Sequence, residues 1–408
     1  MTSSLRPHAP PAGTDQLLVV LSDIEMGAGG PVDDFPHSDW LAELLLAYNE
    51  PPFAELPIDL VLNGDILDLF KTSFEGRYSH HITPRIALGK LERIASAHPP
   101  FFAALQELLA HRGAERRIHF VTGNHDAELA FPAVQDDLRR RCGGSERVNF
   151  AGFALDIGRV HIEHGSQHDP MFAVDAAKPY VDYHGEPVLN LSWGAVTLLD
   201  TVMELQPQLG FLDRVMPKVL VFELMPEAKE LMTELFWNYW TRDYWKGFFG
   251  SDDPARRLTW TMVKEVIWRY GSREPEVTMD KDLREQLTRS DDLMLCIVGH
   301  QHQPAWWSFG DRKLLQAGCL RNEYMVVDDG RQLRPIPKCY AEAYLRRGVP
   351  LRSQLVEVIG PPAPPGYLPE SFFDLLPPVL DLLTAAERAK LPAAGKLEPP
   401  NDEGGEPM

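Results

Sequence analysis

Five short polar clusters in this chain carry side chains able to bind metal ions: Asp23-Ile24-Glu25, Gly64-Asp65-Ile66-Leu67-Asp68, Gly123-Asn124-His125-Asp126, His164-Gly165 and Gly299-His300-Gln301-His302. Asp23 and Glu25 stand two apart, as do His300 and His302. Residues so spaced in an extended chain project to one side, so each pair can reach a single ion. Carboxylates mixed with imidazoles suit Mn, Fe or Zn, whereas an all-oxygen set favours Mg or Ca. Two ions sharing one carboxylate, about 3.5–4 Å apart, can hold a nucleophile and phosphoryl oxygens together. Each cluster alone has an ordinary reading. Asp-x-Glu at a strand end is usually a solvated turn, Gly-Asp a β-turn, and a lone His164 a hydrogen-bonded structural histidine. The weight comes from all five recurring in one order behind one kind of segment.

That segment is a short apolar run. Residues 16–22 (QLLVVLS), 58–63 (IDLVLN), 117–122 (RIHFVT) and 293–299 (LMLCIVG) each read as a buried strand emptying into a loop. Helical patterns at 40–48 and 86–111 lie between the first three, so the N-terminal half alternates strand and helix as α/β folds do. Residues 148–163 read as a hairpin turning at Gly158. In an open α/β sheet a ligand sits beyond the carboxyl ends of the strands, where such loops converge.

The ordered set resembles the calcineurin-like metallophosphoesterase superfamily, whose signature runs D-x-H, G-D-x-x-D, G-N-H-[DE], a histidine followed by Gly, then G-H-x-H. The resemblance covers roughly residues 16–327 and implies a four-layer α/β/β/α sandwich. It also implies two divalent ions, Mn first, with Fe, Zn or Mg as alternatives. By this resemblance Asp23, Asp65 and His302 bind one ion, and Asp65, Asn124, His164 and His300 the other. His125 stands beside the scissile phosphate as general acid or charge stabiliser, with Asp68 orienting it. Water bridging the ions would attack a phosphomonoester, phosphodiester or pyrophosphate in line. Glu25 departs from the pattern, occupying the place of a metal-binding histidine. Its carboxylate still permits coordination and is a harder donor. The competing reading is a metal-binding scaffold or interaction protein with impaired turnover. Arg77, His80, His81 and Arg85 are candidates for clamping a phosphate, with solvated loop charges as the plainer reading. His168 and Asp169 extend the fourth cluster as supporting residues.

On this reading, residues 1–14 are a flexible start, 15–169 with 290–345 the metallophosphoesterase domain, 170–289 a helical insertion, and 360–408 a Pro-rich, weakly structured tail. The insertion holds six of the nine tryptophans. Its stripe Ala228, Leu231, Met232, Leu235, Phe236 and Tyr239 follows Pro226, a helix-start signal. A long insertion at this point resembles the lid of UDP-diacylglucosamine pyrophosphatases, which implies an apolar surface around Phe236, Trp237, Trp240, Trp245, Phe248 and Phe249. Core packing within a helical subdomain is the simpler account of the same aromatics.

The 408 residues are 44% hydrophobic and 24% charged, a globular profile, and the formal charge of −19 argues against a nucleic-acid partner. The expected partner is a phosphorylated small-molecule or lipid-like substrate. No apolar stretch reaches the roughly 20 residues of a membrane span, which leaves only peripheral membrane contact. Four scattered cysteines without CxxC spacing, and no export signal, point to the cytoplasm.

Overall fold

The computed structural model describes residues 9–206, 210–238 and 292–365, with scattered positions between and beyond them. β1 (Gln16–Leu21) and β2 (Ile58–Asn63) are the apolar runs read from the sequence, buried almost throughout. They lie parallel to each other and to β3 (Arg116–Val121) and β4 (Val148–Gly152). Helices α1 (Ser38–Leu46), α2 (Pro84–Ala97), α3 (Pro99–Leu109) and α4 (Pro132–Arg141) cover one face of this sheet. The helical pattern expected over 86–111 is broken at His98 (φ −124°, ψ 48°). Pro99 and Pro100 follow. A proline disfavours the helical conformation in the residue before it, but serves well in the first turn of the next helix.

The expected hairpin at 148–163 forms only in its second half. β5 (Ala154–Ile157) and β6 (Val160–Glu163) are antiparallel around Gly158, whose φ of 58° suits a glycine. β4 belongs to the first sheet, so the chain crosses from one sheet to the other just after Gly152. Next come the two-stranded β7 (Tyr180–Tyr183) and β8 (Glu186–Leu189), α5 (Trp193–Thr201), β9 (Val215–Met216), α6 (Lys218–Leu224) and α7 (Pro226–Asn238). The second sheet has the order β11-β12-β10-β6-β5, with β10 (Leu295–Val298), β11 (Ala305–Phe309) and β12 (Arg312–Gln316). β13 (Tyr324–Val327) and β14 (Gln332–Pro335) join β9 in a small sheet. β15 (Lys338–Arg346) pairs antiparallel with β1, and β16 (Val349–Val358) closes the first sheet, extending it past residue 345.

Alternation along β1 decides the layers. Leu17, Val19 and Leu21 face the helices, whereas Leu18 and Val20 pack with Val160, Ile162, Leu295 and Ile297 of the second sheet. Each buried aliphatic side chain contributes about 1.5–3 kcal/mol, so this seam is the main bond between the sheets. The molecule is thus an α/β fold with α, β and β layers. Beyond the second sheet, Cys296, Val298 and Leu314 gather with Leu283. The rest of residues 271–289, where a fourth layer would be sought, is outside the described residues apart from Glu285.

The described part of the insertion mixes helices with the β7–β8 hairpin. Ala228, Leu231 and Leu235 of α7 pack with Val221, Met225, Val326 and Phe372, the core reading of that stripe. Phe372 and Tyr367 from the expected weakly structured tail are buried. Trp237 is exposed, while Tyr239, Trp240, Trp245, Phe248, Phe249 and the side chain of Phe236 lie outside the described residues. No helix among the described residues is long and apolar enough to cross a membrane.

Candidate metal centre

Five parallel strands, three from the first sheet and two from the second, end at the same place. The register brings Leu21 beside Leu62, Asn63 beside Val121, and Glu163 beside Val298. Asp23, Asp65 and Asn124-His125 follow β1, β2 and β3, while His164 and His300 follow β6 and β10. Four of these loop residues, counting Glu25, have left-handed backbone: Asp23 (φ 52°), Glu25 (φ 51°), Asp65 (φ 53°) and His300 (φ 67°). Such strain in non-glycine residues clusters at functional sites, held there by the surrounding packing. The loops also touch directly. A Cβ on Gly123 would lie 2.1 Å from Asp65 Oδ1, and one on Gly299 1.8 Å from Ser22 Oγ, so both positions require glycine.

Asp65, His164 and His300 present ligand atoms all within 4.8 Å of one another. His164 Nε2 lies 3.1 Å from Asp65 Oδ2 and 3.2 Å from Asn124 Oδ1. Its Nδ1 is 3.0 Å from the Asn63 carbonyl, an outer contact of the kind that aims a metal-binding imidazole. His300 Nε2 is 3.4 Å from Asp169 Oδ2, and its backbone N–H donates to Asp23 Oδ2 at 3.0 Å. Asp65 Oδ1 accepts the His125 N–H at 2.7 Å, tying the second and third loops.

Burial opposes ionisation of Asp65, but His164 and His125 beside it hold its carboxyl well below the usual carboxylate range. His164 is pushed up to about 10: burial acts against this, and the charges of Asp65 and Asp23 prevail. Asp23 is fully buried, which raises its pKa, and its Oδ1 has no hydrogen-bond partner. Crowded carboxylates, an orphan buried oxygen and imidazoles aimed by outer contacts fit a divalent cation.

His125 lies to one side, Nδ1 3.0 Å from Asp68 Oδ1. Its pKa is pushed up to about 10, since Glu25, Asp65 and Asp68 together outweigh its burial. His302 Nε2 lies 3.6 Å from Asp23 Oδ1 and 3.5 Å from Glu25 Oε1, with Nδ1 2.6 Å from Glu323 Oε1. Glu25 is engaged elsewhere: Arg321 Nη1 donates to both its oxygens at 2.7 Å, and Lys71 Nζ to Oε2 at 2.7 Å. Burial works against a charged Glu25, yet Arg321 and Lys71 hold it well below the usual range.

Glu25, Asp65, Asn124, His125, His300 and His302 form the floor of a cavity of about 350 Å³ walled by Phe70, Phe172, Leu198, Val202, Val221 and Phe222 among others. The proposed phosphate clamp is not assembled there. His80 pairs with Asp200, His81 with Asp253, and Arg85 with Glu75, while Arg77 lines a different hollow. His168 is 2.6 Å from Glu163 Oε1. Lys71, Arg321 and Glu323 escaped the sequence reading, and Asp126 was read there only as part of the third cluster, with no role. Asp126 accepts from Gly123 N and Ile66 N, bracing two loops. Lys71, Arg321 and Glu323 hold Glu25 and His302. The available signal was chemical: a buried Glu in a histidine's place requires a cation, and Arg321 directly follows the apolar run 317–320.

No family model and no curated protein matches the sequence. Among solved structures the chain is similar to a dimetal phosphatase from Danio rerio, at 9% identity over 84% of this chain and 99% of that one, with a TM-score of 0.30. It is similar to a phosphopantetheinyl hydrolase from Mycobacterium tuberculosis, at 13% identity over 76% and 92%, with a TM-score of 0.26. A third similar structure, given as a candidate 5'-nucleotidase from Staphylococcus aureus, is 13% identical over 90% of this chain and 58% of its own, with a TM-score of 0.30.

Proposed function

We propose that this chain is a metal-dependent hydrolase of phosphoester bonds, with Asp65, Asn124, His164 and His300 holding a divalent ion. The observation that carries this is the meeting of Asp65, His164 and His300 donor atoms at the base of a cavity that Asp65, Asn124, His125 and His300 line. Asp23 and His302, with Asp65 shared, are the donors facing a second position. An ion so held supplies Lewis-acid polarisation of the phosphoryl group and the attacking water, and the oxygen and nitrogen donor set suits Mn.

The chain's own residues account for the rest. With Nδ1 engaged by Asp68, His125 has Nε2 left to give its proton to the departing oxygen as water adds to phosphorus and the ester P–O bond breaks. Burial of Asp65, Asp23 and His164 excludes bulk water, which strengthens the electrostatics around the phosphoryl group. Phe172, Leu198, Val202, Val221 and Phe222 favour an ester whose leaving group or second substituent is apolar, a lipid-like or alkylated small molecule. The four cysteines are free and buried, which suits a reducing compartment such as the cytoplasm.

The test is release of p-nitrophenol from p-nitrophenyl phosphate and its bis ester with Mn added and removed. We expect metal-dependent turnover that Asp65→Asn abolishes even at saturating Mn. A chain that binds Mn yet releases nothing would instead be the scaffold that Glu25 brings to mind.

A further inference from the structure

Glu25 sits where a second ion would need a donor, but both of its oxygens are taken. Arg321 Nη1 lies 2.7 Å from each, and Lys71 Nζ lies 2.7 Å from Oε2. The two cations are themselves locked in place. Lys71 also donates to Asp34 Oδ2 at 2.6 Å and to Asp213 Oδ2 at 3.0 Å, and Arg321 Nη2 donates to Asp213 O at 2.8 Å. Arg214 pairs with Asp34 from the other side. Lys71, Arg321 and Arg214 thus interlock with Glu25, Asp34 and Asp213 in a largely buried cluster bordered by Asp68, Glu323 and Lys218, and Arg321, Arg214, Glu25 and Asp34 are almost wholly inaccessible. The Arg321 backbone N–H donates to the Asp23 carbonyl, so the guanidinium belongs to the same loop assembly as the expected ligands.

We infer that the chain binds one divalent ion, at Asp65, Asn124, His164 and His300, and that Arg321 and Lys71 supply to Glu25 the positive charge a second ion would bring. This rests on the metal-dependent reading above and narrows it. An ion coordinated by Glu25 would displace Arg321 or Lys71 from its contact with that buried carboxylate, or would face both at close range. Neither neighbour can move to water without breaking its contacts to Asp34 and Asp213. Without Glu25, the second position has Asp23, His302 and a share of Asp65, and His302 is anchored by Glu323 rather than drawn onto Asp65. The first position keeps its full donor set, since no side chain of its residues pairs with this ionic cluster; the Glu25 N–H meets only the Asp65 carbonyl, at 2.9 Å.

The experiment is metal counting on the full chain loaded with excess Mn and desalted, by elemental analysis against protein concentration, with the electron paramagnetic resonance spectrum recorded on the same sample. The inference expects one Mn per chain and a spectrum of uncoupled Mn(II). It also expects Glu25→Gln to keep that one Mn and His300→Ala to lose it. Two Mn per chain with an exchange-coupled spectrum would overturn it while leaving the metal-dependent reading intact. A single Mn that disappears in a folded Glu25→Gln protein would also overturn it. A chain that holds no Mn fails both readings. Should Glu25→Gln not fold, the wild-type count and spectrum decide alone.

Discussion

His125 is placed to act by the company it keeps. Asp68 holds Nδ1 at 3.0 Å, and neighbouring carboxylates favour the protonated ring. His125→Asn keeps a hydrogen-bonding side chain but removes the transferable proton, so kcat should fall by about 10²–10⁴. The Mn content should not change, which elemental analysis checks. Glu163 offers a separate handle through pH. Burial raises a carboxyl, but hydrogen bonds from His161 and His168 prevail and hold Glu163 down to about 2, against an ordinary 4.5. A depressed carboxyl stabilises the fold above its unfolded pKa, and that contribution is lost as pH falls from about 4.5 to about 2. The loss amounts to at most about 3 kcal/mol. Urea midpoints followed through this window should fall more steeply for wild type than for Glu163→Gln. At this scale much of the candidate site was legible, because Asp65, Asn124 and His164 fall in an ordered set of clusters whose resemblance to a known signature implies their roles, though each alone reads as ordinary. Lys71 and Arg321 were not, since a basic residue in a loop is ordinarily solvated and only the fold reveals what it faces.

The elements around the cavity divide their work. Strand ends supply the polar floor, whereas α5, α6 and the turn at 210–214 supply apolar wall and a charged anchor, Asp213 and Arg214. Phe222 lies on α6 in that wall, outside the strand-end loops that carry the floor. Phe222→Ser should therefore lower kcat/KM for a long-chain alkyl phosphoester by about 10- to 100-fold, the value of roughly 1.5–3 kcal/mol of apolar burial. Turnover of p-nitrophenyl phosphate should be spared, and comparing the two substrates on one preparation checks this. Equal losses on both would move Phe222 from the substrate wall to the structural core. Strands β1 and β2 were readable because a buried parallel strand is apolar along its whole length. The sheet change after Gly152 was not, because hydrophobic alternation is the same on either side of the crossing.

Across the whole molecule, the proposed ligands are divided between two sheets joined by apolar contact. Asp23, Asp65 and Asn124 come from one, His164 and His300 from the other, and Leu18, Val20, Ile162 and Ile297 fasten them. Binding an ion to such a site stabilises only the docked state. Mn at a hundredfold excess over its dissociation constant should add about 2.7 kcal/mol, and chelation should lower Tm on the order of 5 °C. Calorimetry with and without chelator measures this, and His300→Ala should show no chelator effect. The α/β class followed from the alternation of strand and helix in the first half, but the pairing of β15 with β1 could not be read from it, since nothing local to residues 338–346 names a partner so distant in sequence.

The crossing after Gly152 carries a consequence for how the protein comes into being. Every ligand expected from the first sheet is already synthesised by residue 124, and His164 and His300, the imidazoles proposed for the first position, follow strands beyond the crossing. A nascent chain that ends at the crossing would carry Asp23, Asp65 and Asn124 without His164 and His300 to complete the proposed set. Metal capture is then a late event, a signal that assembly has finished rather than a template on which it begins.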